Sequence, residues 1–153
     1  MNNSPIPTAV LSTVSSDSHT WNLIFLELLL AETGYQVHNL GACVPDELLV
    51  RTCSEQRPAL LVISSVNGHG AIDGERMIRR LRITPGLATL PAVIGGKLGI
   101  GGAEGAPVRR SRLLSAGFDG VFEGDSLPEF QRFARTVRDT PARELVASYG
   151  TSR

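Results

Sequence analysis

Five short apolar runs, each followed by a polar or glycine-rich break and then by a stretch of helical periodicity, constrain this chain more than any other feature. "TAVLSTVSS" (8–16), "YQVHNLG" (35–41), "ALLVISSV" (59–66), "LPAVIGG" (90–96) and "FDGVFEG" (118–124) read as strands. Helical patterns fill 22–33, 44–58, 72–83, 108–116 and 127–139, with Gly34 closing the first and Pro45 near the start of the second. The third run is continuous and rich in β-branched residues, as expected of a strand covered on both faces. Strand and helix alternating through short connections predict an α/β fold with a parallel sheet between two helical layers. Five such units in about 130 residues match the flavodoxin-like, doubly wound strand order 2-1-3-4-5. The expectation is one domain over 1–153, with its core at about 8–140 and flexible flanks at 1–7 and 141–153.

Composition narrows the classes of function. Fifteen basic side chains balance fifteen acidic ones, so there is no electrostatic case for nucleic acid or an anionic membrane as partner. No apolar run reaches the roughly 20 residues needed to span a bilayer, and "WNLIFLELLLAETG" is broken by Glu27 and Glu32. The first residues lack the basic start and apolar core of a signal peptide. Cys43 and Cys53 make neither a disulfide framework nor a zinc motif, which fits a reduced, cytoplasmic setting.

In doubly wound sheets, ligands bind beyond the carboxyl ends of the strands. The connections at those ends read "DSHTWN", "ACVPD", "NGHGAID", "KLGIGGAEGAP" and "DSLPE". Asp17 and His19, two residues apart, suit a metal ligand whose second ring nitrogen is held by a carboxylate. The competing reading is a helix cap by Asp17 or Thr20 with His19 merely exposed. One His and one Asp fall short of a closed metal site of about four ligands, so a metal bound here would bring most of its own, as in a macrocycle. Ser64 and Ser65 end the third strand, where a buried hydroxyl requires a partner; a bound heterocycle or the local backbone would each supply one. Gly95 and Gly96 allow close approach of a ligand to the end of the fourth strand. The glycine-rich stretch that follows matches neither the phosphate-loop nor the dinucleotide pattern. The three features fall at the ends of strands one, three and four. Together they point to a planar ligand capped by the His loop, with a long tail entering beside Ser64, Ser65, Gly95 and Gly96.

This ordered set resembles the cobalamin-binding domain family, which carries Asp-x-His-x-x-Gly, Ser-x-Leu and Gly-Gly after its first, third and fourth strands. Here the matching stretches are "DSHTWN", "SSV" and "GG", and the similarity runs over about residues 9–138. The resemblance implies that His19 is the lower axial ligand to cobalt, displacing the cofactor's own base, and that Asp17 holds its other ring nitrogen. It implies that Ser18 and Thr20 flank the ligand on the loop. The displaced tail would enter beside Ser64 and between the first and third strands, with Gly95 and Gly96 allowing close packing and Gly124 and "DSLPE" bordering its base; Ser65, Val66 and Gly68 would contact the cofactor, and His69 would face either the corrin or the tail. The family's glycine is Asn22 here, a residue that tolerates left-handed backbone, and its leucine is Val66. His38, within a strand, reads as structural.

Within the family the similarity is greatest to the small subunits of glutamate mutase (methylaspartate mutase). That implies adenosylcobalamin as cofactor and an isomerase component acting on L-glutamate and 3-methylaspartate. It also implies a separate large catalytic subunit, since this chain has no room for a substrate barrel of about 250 residues. The alternative is a stand-alone corrinoid carrier or a cobalamin-responsive binding protein without mutase activity. Such carriers bear a helical cap ahead of the domain, and only about eight residues precede the first strand here. The loop at 17–22 is expected to be partly disordered until a corrin covers it.

Overall fold

A computed structural model describes residues 5–66, 68–99, 102–124 and 126–141. The expectations for 1–4, 142–153 and Asp125 lie outside these residues.

Strands β1 (Thr8–Thr13), β2 (Gln36–Asn39), β3 (Leu60–Ser65), β4 (Ala92–Gly96) and β5 (Gly120–Glu123) alternate with five helices. These are α1 (Trp21–Thr33), α2 (Asp46–Gln56), α3 (Gly70–Ile83), α4 (Ala106–Ala116) and α5 (Leu127–Asp139). The strands form one parallel sheet in the order β2-β1-β3-β4-β5, the doubly wound order read from the sequence. Alternate residues of each strand serve two separate cores. Val10, Leu61, Ile63, Ala92 and Ile94 pack against α2, α3 and α4. Ala9, Leu11, Leu60, Val62 and Val93 pack against α1 and α5. Leu11, Leu61, Ile63 and Ile94 are fully buried, and each contributes roughly 2 kcal/mol of apolar transfer.

Several boundaries move for local reasons. The first strand stops at Thr13, because the Asp17 amide donates to the Val14 carbonyl at 3.1 Å and closes a turn. The second helix starts at Asp46, with Pro45 extended before it at φ −62° and ψ 144°. The third helix starts two residues earlier than its apolar pattern, at Gly70. A Cβ there would stand 2.6 Å from the Ser65 Cβ and 2.9 Å from Leu98 Cδ2, so only glycine lets this first turn settle on the end of β3. A 3-10 turn at Gly102–Gly105 leads into α4. The opposite end of the sheet is tied by Arg82, which donates to the carbonyls of Gly117 at 2.9 Å and Leu90 at 2.7 Å and pairs with Asp119 at 3.1 Å. Among the described residues no helix is long and apolar enough to cross a membrane.

Candidate functional site: an anchored histidine beside an apolar slot

The carboxyl end of β3 divides the site. Ser64 continues the Leu60–Val62 side and faces α1 and α5; Ser65 continues the Leu61–Ile63 side and faces α3. Both are buried, at 5% and 1% exposure.

On the Ser65 side lies Asp17, fully buried. Its Oδ1 accepts from the His19 amide at 2.9 Å and lies 2.7 Å from the His19 Nδ1. Its Oδ2 accepts from the Val66 amide at 2.7 Å, and the Ser65 hydroxyl adds a further hydrogen bond. Burial pushes the Asp17 carboxyl up, but the donors from His19, Val66 and Ser65 outweigh it and hold the group below the ordinary carboxylate value. The Asp17 carbonyl accepts from the Cys43 amide at 2.8 Å and from Thr13 Oγ1 at 3.1 Å, so the residue is fixed at both ends. An ionised carboxylate can only accept, which places the His19 proton on Nδ1 and the lone pair on Nε2. The imidazole is 57% exposed. Its geometry therefore offers one coordinating nitrogen at the top of the sheet, with the ring oriented by the protein.

The capping alternative does not hold for Asp17, whose carboxylate is spent on His19, Val66 and Ser65. Thr20 occupies the N-cap position of α1 but makes no side-chain cap bond. Ser18, Thr20 and Trp21 are exposed, so the loop consists of an anchored half ending at Asp17 and an open arm beyond it. Asn22 needs no left-handed backbone, since it already lies within α1, and Cys43 and Arg57 are the positive-φ residues other than glycine among those described.

On the Ser64 side a cavity of about 320 Å³ opens over β3 and β4. Ser64, Gly95, Gly96 and Gly124 line it, together with Asn22, Phe25 and Leu26 of α1 and Leu127 and Phe130 of α5. Phe122 closes one wall, edge-on to Phe130 at 5.8 Å between ring centroids. The slot is mostly apolar, with the side chains of Asn22, Ser64 and Ser126 as the polar part of its lining. The cavity lies over β3 and β4, and β1 pairs with β3 on its other edge from Ala9↔Leu60 to Thr13↔Ser64.

The glycine pair has a reason beyond ligand approach. Gly96 has φ +110°, and a Cβ there would stand 2.1 Å from the Ser65 carbonyl oxygen. At Gly95 a Cβ would stand 2.7 Å from the Phe122 carbonyl oxygen. Gly68 and His69 are not in the slot; they line a separate recess of about 290 Å³ with Ile72, Leu98 and Val108, between α3 and α4. His38 is exposed on the edge strand β2. Among the described residues no group of three or more His, Cys, Asp or Glu could enclose a metal.

No family model matches the chain. The glutamate mutase sigma subunit of Carboxydothermus hydrogenoformans is 34% identical over 120 residues, which is 78% of this chain and 86% of that one. The chain belongs to the glutamate mutase sigma-subunit family. The sigma subunit of Halobacterium salinarum is 32% identical over 120 residues, covering 78% of each chain. Among solved structures, a cobalamin-binding protein from Desulfitobacterium hafniense superposes with TM-score 0.68 at 19% identity, over 86% of this chain and 58% of that one. A response regulator from Chloroflexus aurantiacus gives 0.64 at 20% identity, over 89% and 100%. At these identities the likeness shows the fold alone. That one fold serves both proteins means the ligand has to be argued from the site.

Proposed function

We propose that this sigma-family chain is the cobalamin-binding subunit of an adenosylcobalamin-dependent carbon-skeleton mutase. Its reaction is the interconversion of L-glutamate and 3-methylaspartate, carried out with a separate large catalytic subunit. The observation that carries the reading is the pairing of an oriented, outward imidazole with an apolar slot at the same strand end.

The residues fit the group. His19 would hold the cobalt through one imidazole nitrogen, the metal bringing its own macrocycle. A tail displaced from the cobalt carries an aromatic base, and the slot between α1 and α5 offers aromatic and apolar walls for it, with Ser64 at the mouth. When bound, adenosylcobalamin supplies the radical chemistry through homolysis of its cobalt–carbon bond. This chain's residues do the positioning. His19 would hold the cobalt through Nε2 while Asp17 retains the Nδ1 proton, and Val66 and Ser65 keep Asp17 ionised and in place. The slot would exclude water from the tail. The exposed arm, Ser18 and Thr20, would border the corrin. The substrate would be held by the large subunit.

The test has two steps. The chain and its His19→Ala variant are each passed through gel filtration with cobalamin, then mixed with a glutamate mutase large subunit and assayed for 3-methylaspartate. The reading expects retention and turnover by the wild type, with both strongly reduced in the variant. Retention without turnover would favour a corrinoid carrier. A variant that matches the wild type in both steps would overturn the assignment of His19.

A further inference from the structure

Arg76, on the second turn of α3, lies outside every motif that marks the site. It is nonetheless the centre of a polar cluster on the loop that carries Asp17. Its Nε and Nη2 donate to the Asp46 carboxylate at 2.7 and 3.3 Å, and its Nη1 donates to Asp73 Oδ1 at 2.9 Å. Its Nη2 also reaches Ser15 Oγ at 3.0 Å, while Ser16 Oγ donates to Asp73 Oδ2. One guanidinium thus joins the first turns of α2 and α3 to Ser15 directly and to Ser16 through Asp73, the two residues immediately before Asp17.

We propose that Arg76 is a positioning residue for the His19 ligand, acting through Ser15, Ser16 and Asp73 on the turn that presents Asp17. The proposal rests on the cobalt-ligand reading of His19, and the argument is geometric. Val14–Asp17 is a tight turn closed by the Asp17 amide, and Ser15 and Ser16 are its corner. Cys43 and Thr13 fix where the Asp17 carbonyl sits. Val66 and Ser65 hold the carboxylate, and the corner between these two anchors is held separately, both of its hydroxyls from α3. A shift of the corner strains the seat of the Asp17 carboxylate, and the imidazole rides on that carboxylate through its Nδ1. A planar fork is needed because a single group meets two carboxylates and a hydroxyl at once, which a lysine ammonium on a flexible stem cannot reproduce. Asp46 and Asp73 also share this one cation, so removing it leaves two carboxylates facing each other beside the loop.

The experiment compares Arg76→Ala with the double variant Ser15→Ala/Ser16→Ala, and uses Arg79→Ala, which carries a surface pair with Glu75 on the same helix, as the control. The double variant removes the grip on the loop and leaves the α2–α3 tie intact, so it separates positioning from helix packing. Two readouts are taken. In the cofactor-free protein, amide exchange at 17–19 and the imidazole tautomer are followed by nitrogen-15 NMR at fixed pH. With cob(II)alamin added, the fraction of cobalt showing an imidazole nitrogen is read by electron paramagnetic resonance.

The expected result is faster exchange at 17–19 and an about tenfold weaker histidine-coordinated state in Arg76→Ala and in the serine double variant, with Arg79→Ala unchanged. Wild-type behaviour of the double variant would overturn the proposal, even if Arg76→Ala lowers the melting temperature, since Arg76 would then only tie two helices. If the wild type shows no imidazole on cobalt while both variants loosen 17–19 and disturb the tautomer, the cobalt reading falls and the positioning role stands.

Discussion

Ser64 and Ser65 are adjacent on β3 but belong to opposite kinds of environment. On the Ser65 side the Asp17 carboxylate is fully committed: it takes two backbone amides, an imidazole and a hydroxyl, and turns the far nitrogen of His19 outward. On the Ser64 side a cavity of about 320 Å³ is walled mostly by aromatic and aliphatic side chains and glycines. The polar side fixes a direction, and the apolar side accepts a shape. A cofactor with one coordination bond to make and one long tail to bury uses both. The pleat delivers the two properties within a single residue step.

The comparison is most severely broken where both sides depend on one atom. Gly96→Ala places a Cβ against the Ser65 carbonyl at a positive φ. It should cost about 4 kcal/mol and lower the melting temperature by roughly 12 °C in calorimetry, with loss of both halves together. Asp17→Asn should break the polar side alone. It replaces an acceptor facing the Val66 or His19 amide with a donor, at a cost of about 2 kcal/mol, and the histidine-bound cobalt signal should vanish while the slot survives. Acid is the reversible version of that change. Because the folded Asp17 value lies below the unfolded one, its stabilisation is fully present above about pH 4 and is lost as pH falls through the lower folded value. Denaturant melts of wild type and Asp17→Asn should therefore draw together as pH falls below about 4. Ser64→Leu should break the apolar side alone, costing about 1 kcal/mol in stability and displacing the tail, with the Asp17–His19 proton signal unchanged in NMR. His38→Ala, exposed on the edge strand, should shift stability by less than about 0.5 kcal/mol in the same melts.

How much of this was legible in the sequence follows the same division. The parallel sheet and its order were readable because five β-rich runs alternate with five helical patterns, and local periodicity survives in any context. Asp17 and His19 were readable because their spacing places carboxylate and imidazole on one short loop. What spacing could not say is that Ser65 and Val66, nearly fifty residues on, would complete the acceptor shell of Asp17. The glycine pair was visible, yet its packing reason was not, since a side chain at Gly96 would collide with the neighbouring strand's carbonyl. The walls of the slot left no motif: Phe25, Phe122 and Phe130 are ordinary apolar residues on three elements, brought together only by packing. Arg76 was one arginine in an amphipathic helix until the first turns of α2 and α3 and the β1–α1 turn met around it. Asn22 shows the reverse error. The family pattern raised the question of a left-handed turn, and α1 starts early enough that none is required.

The most direct test of the account is electron paramagnetic resonance of cob(II)alamin bound to this chain, grown once with natural nitrogen and once with histidine labelled with nitrogen-15. Ligation by His19 predicts that each cobalt line splits into three with natural histidine and into two with the labelled residue, and that His19→Ala abolishes the change. A three-line pattern that persists with labelled histidine would mean that the cofactor's own base remains on the cobalt, and would contradict the central claim.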